Sequence, residues 1–312
     1  MKATIVIPFY RGLKLLQNAL LRLDSQITTF DYDILIINSS EIIYNEKLLC
    51  LSSKINVLSI DAKEFNHGAT RNLAIKNTTS EFLIYTVQDA IPSSDSWLHN
   101  LIQPMIDNNL DAICGKQMVP HNSAFNPIEW SAPIDKPKLH IIQLPPFSFS
   151  ELSPSFKRSM LMWDNVNAAY RREVLEQYPF DSVLFGEDLM WMKQALCAGL
   201  KVAYTGFSVV EHYHHYEGSF ALKRFLAEFY IDKKVIGLDP IKPILKVRTL
   251  LSWIKKLSFS KLPLLSKYTW LLYNYRLFVS KKRAYKLWNT FMGIEDVEYY
   301  LANNIPQSSS ND

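Results

Sequence analysis

A chain of 312 residues with 48% hydrophobic residues and only nine glycines has ample material for a core, which excludes a disordered or fibrous polymer and leaves one large domain or two ordinary ones. Three scattered cysteines, Cys50, Cys114 and Cys197, form no Cys-x-x-Cys pair; they exclude a disulfide scaffold or a zinc knuckle and fit reduced thiols in a cytosolic protein. The net charge of +4 conceals an asymmetry: residues 233–286 hold fourteen Lys/Arg against one acid, Asp239, a local charge of +13, and leave 20 basic and 29 acidic residues elsewhere. A mildly acidic body with a strongly basic stretch points to an anionic partner for that stretch.

The first apolar run, residues 4–9, is β-rich and is broken by Pro8; it is too short for a signal peptide and predicts a buried strand. Leu13, Leu16, Leu20 and Leu23 then fall on one helical face. Residues 33–37 and 55–60 predict two further strands, the former running into Asn38-Ser39-Ser40. Residues 65–72 (Phe65-Asn66-His67-Gly68-Ala69-Thr70-Arg71-Asn72) lead into a helix, and residues 82–87 form a fourth strand that ends at Gln88-Asp89. A helix over 96–109, with Trp97, Leu98, Leu101, Ile102 and Met105 as its apolar positions, precedes a fifth strand at 111–114. Strands alternating with helices at this pitch predict an α/β fold with a largely parallel sheet and helices on both faces, whose ligands bind beyond the carboxyl ends of the strands. The pattern dissolves into a proline-rich stretch from Pro120 to about Ser159, long enough to expect a lid or an acceptor wall. It returns at Asn165, in a helix opened by Glu187-Asp188, and in a strand over 201–205. No apolar run approaches bilayer length. Beyond Pro240 the chain is basic, leucine-rich and aromatic, with helical patches at 250–257 and 270–282, and residues 306–312 read as a disordered tail.

Several residues have chemistry beyond their place in an element. Asp89, at the end of a buried strand, is either a turn aspartate or an oxygen ligand for a divalent cation that bridges two phosphates. His212 and His214, two apart in an extended segment, point to the same face, as a metal site requires; an imidazole beside a carboxylate would suit Mn²⁺ better than an all-oxygen set. Arg71 and Asn72 lie in the first turn of a helix entered through His67-Gly68, where backbone N–H groups and a guanidinium can meet a phosphate, or where the arginine is simply ion-paired. Glu187 and Asp188 open a helix, a place the helix dipole favours for acids in any protein and one that also suits a catalytic base.

Together these segments resemble the family 2 glycosyltransferases of the GT-A fold, and within them the bacterial rhamnosyltransferase branch. The resemblance is carried in family order by Ile5-Val6-Ile7-Pro8-Phe9-Tyr10, by Glu64 through Asn72, by Gln88-Asp89-Ala90 with Trp97-Leu98, by Asn165-Val166-Asn167-Ala168-Ala169-Tyr170-Arg171-Arg172, by Glu187-Asp188-Leu189, and by Val210-Glu211-His212-Tyr213-His214. It implies a Rossmann-like nucleotide-diphospho-sugar fold with a nucleotide-sugar donor, dTDP- or UDP-linked, held by Pro8, Tyr10, Asn38, Ser39, His67, Gly68, Arg71, Asn72 and Gln88. A divalent cation, Mn or Mg, is implied on Asp89 with His212 and His214. Asp188 is implied as the base that deprotonates the acceptor hydroxyl for an inverting displacement, with Glu187 beside it. The leaving diphosphate gathers charge that a cation stabilises, and a hydroxyl attacks poorly unless its proton is taken.

Two departures qualify the match. Asn38-Ser39-Ser40 stands where most members carry a base-reading aspartate, and Val87-Gln88-Asp89 keeps one aspartate of the usual metal pair, as the rhamnosyltransferase branch does. The expected organisation is a catalytic domain over 1–230, a basic, aromatic-rich helical extension over 231–305, and the tail. The implied activity is transfer of L-rhamnose from dTDP-rhamnose to a lipid-linked saccharide in O-antigen or capsule synthesis, in the cytoplasm at the inner face of the cell membrane. The basic extension, with Trp253, Leu257, Trp270, Leu271, Leu272 and Tyr275 among its lysines, suits an anionic lipid surface. The alternatives are a non-catalytic membrane- or polyanion-binding protein on the same scaffold, and a transferase using a UDP-hexose. Nucleic acid is not an expected partner, because the body is acidic and the basic stretch has no recognised binding motif.

Overall fold

The computed structural model describes residues 1–40, 48–132 and 136–304. The chain divides into two compact units. The first, residues Met1–Gln117 and Ile134–His212, contains the sheet. Its elements in order are β1 (Lys2–Phe9), α1 (Leu13–Asp24), β2 (Asp31–Asn38), β3 (Ile55–Ser59), α2 (His67–Asn77), β4 (Phe82–Thr86), β5 (Ile91–Pro92), α3 (Trp97–Asp107), β6 (Ala112–Met118), β7 (Leu139–Ile142), α4 (Pro154–Met160), β8 (Asn167–Arg171), α5 (Arg172–Gln177), α6 (Glu187–Ala198) and β9 (Val202–Glu211).

The strands lie in the order β3-β2-β1-β4-β8-β6-β9-β5, with β7 also on β9. The half from β3 to β4 is parallel, so the carboxyl ends of those strands line one edge. β8 reverses direction against both β4 and β6, and β9 is antiparallel to β5 and β7. The sheet is therefore mixed: helical crossovers build its parallel half, and returning strands close its other side. Ile5, Val6 and Ile7 of β1 and Phe82 through Tyr85 of β4 are fully buried, as expected for central strands covered on both faces. Leu16, Ala19, Leu20 and Leu23 are the buried stripe of α1, and each leucine so placed contributes roughly 1.5–3 kcal/mol of transfer free energy. Trp97, Leu98, Leu101, Ile102 and Met105 are the buried face of α3.

The stretch expected to be irregular, 120–159, contains the short strand β7, a 3-10 turn at Ser148–Glu151 and the first residues of α4. Sequence hid β7 because its four residues, Leu139 to Ile142, are flanked by prolines and only half-buried.

The second unit comprises residues Met118–Pro133 and Tyr213–Ser309. It contains α7 (Gly218–Ile231), α8 (Val247–Phe259), α9 (Leu264–Trp288) and α10 (Ile294–Asn304). The domain border expected at residue 230 thus moves to His212, and an insertion from the middle of the chain joins the helical unit. The reason is local packing. α7 lies against α9. The amides of Asn126 and Asn274, both buried, exchange two hydrogen bonds of 3.0 Å. Leu257, Trp270 and Tyr273 form a small apolar centre, with the His215 ring stacked on Trp270 at 5.4 Å. The tail expected over 306–312 lies outside the described residues.

Candidate active site

The acid pair sits at the start of α6, entered through Gly186 at φ +76°, a left-handed turn that costs glycine no Cβ clash. The two neighbouring carboxyls meet different surroundings. Glu187 is buried and pairs with Arg71 Nη1 at 2.9 Å, while Asn165 Nδ2 donates to the same oxygen at 3.3 Å. Burial works to raise its pKa, but the charges of Arg71 and His67 and these hydrogen bonds outweigh it, and Glu187 is held below the usual carboxylate range. Asp188 has the opposite balance. Burial, then repulsion from Glu187 and Asp164, outweighs the attraction of Arg71 and the hydrogen bond from the Leu189 amide, 2.8 Å, and pushes Asp188 up to about 8. One acid is locked in an ion pair and the other is poised to exchange a proton near neutral pH. Tyr170, which feels the charge of Asp188, belongs to an aromatic cluster: it meets Trp191 edge-to-face at 4.6 Å, and Trp163 packs on Trp191 at 5.6 Å.

The second polar corner is built by the shortest strand. β5 pairs antiparallel with β9 in the register Ile91 to Glu211, which carries Asp89 next to His212. Asp89 Oδ1 stands 3.7 Å from His212 Nε2. On the other side of the ring, His212 Nδ1 lies 2.7 Å from Gln117 Oε1. Gln117 also hydrogen-bonds the Asp164 carboxylate, favouring its charged form against the burial that raises it. A carboxylate only accepts, so Gln117 turns its NH₂ to Asp164 and its oxygen to His212. His212 then donates from Nδ1 and turns Nε2 toward Asp89, the side from which a neutral imidazole would bind a metal. With His214, two residues further along the same strand end, one ligand atom from each of Asp89, His212 and His214 falls within 4.8 Å of the others. Carboxylate oxygen plus imidazole nitrogen fits a divalent cation, with Mn²⁺ better matched than Mg²⁺.

The segment of residues 66–72 departs from expectation. Arg71 does not face outward as a diphosphate ligand: it is 5% exposed, paired with Glu187 and bonded to the His67 carbonyl at 3.0 Å. Asn72 gives its whole amide to the backbone of Phe180, donating to O at 2.8 Å and accepting from N at 3.0 Å. Gly68 makes a close approach as expected, but to the chain itself, since an added Cβ would stand 2.0 Å from the Asp181 carbonyl oxygen. Gln88, another expected donor contact, accepts from the Tyr10 amide at 3.1 Å and donates to the Arg11 carbonyl at 2.6 Å, pinning the turn after β1. Asn38 and Ser39 are buried; Asn38 Oδ1 accepts from the Ser40 amide, and both Ser39 N and Oγ donate to the Phe9 carbonyl. These side chains shape the sheet edge through backbone bonds. Pro8 and Tyr10 are half-buried at the carboxyl end of β1, and His67 is exposed at the head of α2.

Residues 4–179 match glycosyl transferase family 2. The chain belongs to glycosyl transferase family 2. It is 33% identical over 221 residues to the O-antigen chain rhamnosyltransferase RfbN of Salmonella typhimurium, covering 69% of this chain and 68% of the relative. It is 32% identical over 166 residues to the O-antigen chain rhamnosyltransferase WbaN of Salmonella anatum, covering 52% of this chain and 50% of that one. In structure it resembles S. aureus TarS 1-349, with a TM-score of 0.54, 12% identity and coverage of 93% and 92%. It also resembles the mannosyltransferase PcManGT of Pyrobaculum calidifontis, solved with GDP-Man and Mn2+, with a TM-score of 0.54, 14% identity and coverage of 96% and 86%. These neighbours place the family 2 transferase in the GT-A fold expected from its motifs.

Three residues that touch these candidates carried no signal of it in the sequence: Gln117, Asp164 and Asn165. Asn165 appeared in a motif but was given no role; it accepts from the Tyr170 hydroxyl at 2.7 Å and holds Glu187. Asp164 lies one residue before that motif, after Trp163, and carried no spacing signal. Gln117 is the penultimate residue of the half-polar strand β6 and could be found only through its partner His212.

Proposed function

We propose that the protein is an inverting rhamnosyltransferase of O-antigen synthesis, moving L-rhamnose from dTDP-rhamnose to a hydroxyl of a lipid-linked saccharide. The division of the acid pair is the observation that carries the chemistry: Glu187 is neutralised by Arg71 at 2.9 Å, so Asp188, raised to about 8, is the carboxyl suited to receive the acceptor's proton. Similarity to two O-antigen chain rhamnosyltransferases supports the sugar and the pathway. Asp89, His212 and His214 would hold the cation, which when bound supplies charge stabilisation to the leaving diphosphate. Pro8, Tyr10 and His67 line the donor side, and Asp188 receives the acceptor proton as the new glycosidic bond forms on the face opposite the leaving group.

The helical unit provides the membrane face in this reading. Between Pro240 and Ile294 the sequence contains no acid, and Ile244, Val247, Leu251, Phe259, Leu264 and Leu265 are exposed among Lys242, Lys246, Arg248, Lys255, Lys256, Lys261 and Lys267. No described helix is long and apolar enough to cross a membrane. Exposed apolar side chains interleaved with lysine fit the interface of an anionic leaflet, which would place the enzyme peripherally at the inner membrane face. The test is a donor screen with Mn²⁺ and a polyprenyl-diphosphate-linked saccharide acceptor. Release of dTDP from dTDP-rhamnose is expected; release of UDP from a UDP-hexose alone would replace the donor, and turnover of neither would overturn the reading.

A further inference from the structure

We propose that residues 66–72 form a positioning clamp for the base at Asp188, acting through the 180–186 loop and not on the donor. The proposal rests on Asp188 being the base.

The loop that leads from α5 to α6 has no helix or strand of its own across residues 178–186. Its course is fixed from one side. Phe180 is held by both atoms of the Asn72 amide, at 2.8 and 3.0 Å. The Asp181 carbonyl fits into the space left by the missing Cβ of Gly68. The Val183 carbonyl accepts from Asn66 Nδ2 at 3.1 Å. At the far end Glu187 is paired with Arg71 at 2.9 Å. Asn66 does two jobs, because its Oδ1 also caps α2 by accepting from Gly68 N at 3.1 Å and Ala69 N at 3.0 Å. Three side chains and one glycine within seven residues of sequence thus meet four points along eight residues of the opposing segment. Most of their polar atoms face the chain itself; Arg71 is buried, and the bonds of Asn66 and Asn72 to the loop are part-buried. A base displaced by about 1 Å costs on the order of a hundredfold in rate, which is what such a clamp prevents.

The groups that face Asp188 are Glu187, Asp164, Arg71, Cys114 and Tyr170; Glu187 and Asp164 disfavour its charged form, Arg71 favours it, and the Cys114 thiol and Tyr170 hydroxyl, themselves pushed up by burial, stay neutral beside it. Loosening the loop admits water and returns Asp188 toward an ordinary carboxylate.

The test is Asn72→Ala in the full-length enzyme, assayed with the donor it turns over. A role in positioning the base lowers kcat about ten- to a hundredfold, moves the kcat inflection to lower pH, and leaves the calorimetric Kd for dTDP with Mn²⁺ within twofold. Deuterium exchange at the amides of 180–187 should quicken. A tenfold weaker dTDP affinity with kcat and inflection unmoved would assign the motif to the donor and overturn the proposal, as would no change in any of them. Asn66→Ser serves if Asn72→Ala does not fold: serine keeps the helix cap and loses the bond to Val183, and the same outcomes apply. Asp188→Asn separates the two readings. Unchanged kcat in that variant removes the base itself, whereas an inactive Asp188→Asn beside a fully active Asn72→Ala removes only the clamp.

Discussion

The loop leading to Asp188 and the strand end at Asp89 and His212 lie in the same unit and are built by opposite means. The loop borrows its shape from residues 66–72, through the half-buried amides of Asn66 and Asn72 bonded to backbone and the buried Arg71 paired with Glu187. The strand end is shaped by a two-residue strand, Ile91–Pro92, and its candidate ligands Asp89 and His212 are half-buried and His214 exposed. A base must be placed before its substrate arrives, and burial raises its pKa; a cation site must stay open to an ion and a diphosphate. The comparison teaches that motif residues at this sheet edge divide into those that face ligands and those that hold the residues facing them.

Breaking each side in turn sharpens the contrast. The largest effect should come from Asp188→Asn, which removes the proton acceptor and should lower kcat by about 10²–10⁴ while leaving dTDP affinity unchanged in calorimetry. Next comes the lock on the other acid. Arg71→Met strands a buried Glu187 and should cost about 3–5 kcal/mol in denaturant unfolding, much of it recovered in the Arg71→Met/Glu187→Gln double variant. On the open side, Gln117→Leu removes the partner that orients His212 and should weaken Mn²⁺ about 10–100-fold with global stability nearly intact. The smallest effect belongs to the helical unit. Replacing Lys255 and Lys256 by glutamine should weaken flotation on anionic vesicles by about 1 kcal/mol per charge and leave neutral vesicles unaffected.

Much of this was legible in the sequence because strong periodicity marks central elements. The apolar runs of β1, β2 and β4 and the leucine stripe of α1 are buried as their patterns require. β5, two residues long, carries no pattern, yet it sets the register that joins Asp89 to His212. Asp89, Asp188 and His212 stood out only through the family order of their motifs, because an acid at a strand end or helix start is common in any protein. The roles of Arg71, Asn72, Gly68 and Gln88 were not, because a residue that binds a phosphate and one that binds a backbone carbonyl look alike in a sequence. Only the partner distinguishes them, and for Asn72, Gly68 and Arg71 the partner lies 108 residues away or more, at Phe180, Asp181 and Glu187. The domain border escaped for a similar reason, since the Asn126–Asn274 amide pair joins segments 148 residues apart.

The central claim is that Asp188, and not Glu187, takes the acceptor's proton because its surroundings raise it to about 8. A base acts when ionised, so its activity must climb as pH passes upward through that value. The measurement is kcat at saturating donor and acceptor from pH 5 to pH 10, in the native enzyme and in Asp188→Asn. A rising limb with its inflection near pH 8, absent from the residual activity of the variant, is the expected result. Activity already level from pH 5 upward, as an ordinary carboxylate would give, or the same limb surviving in Asp188→Asn, would contradict it.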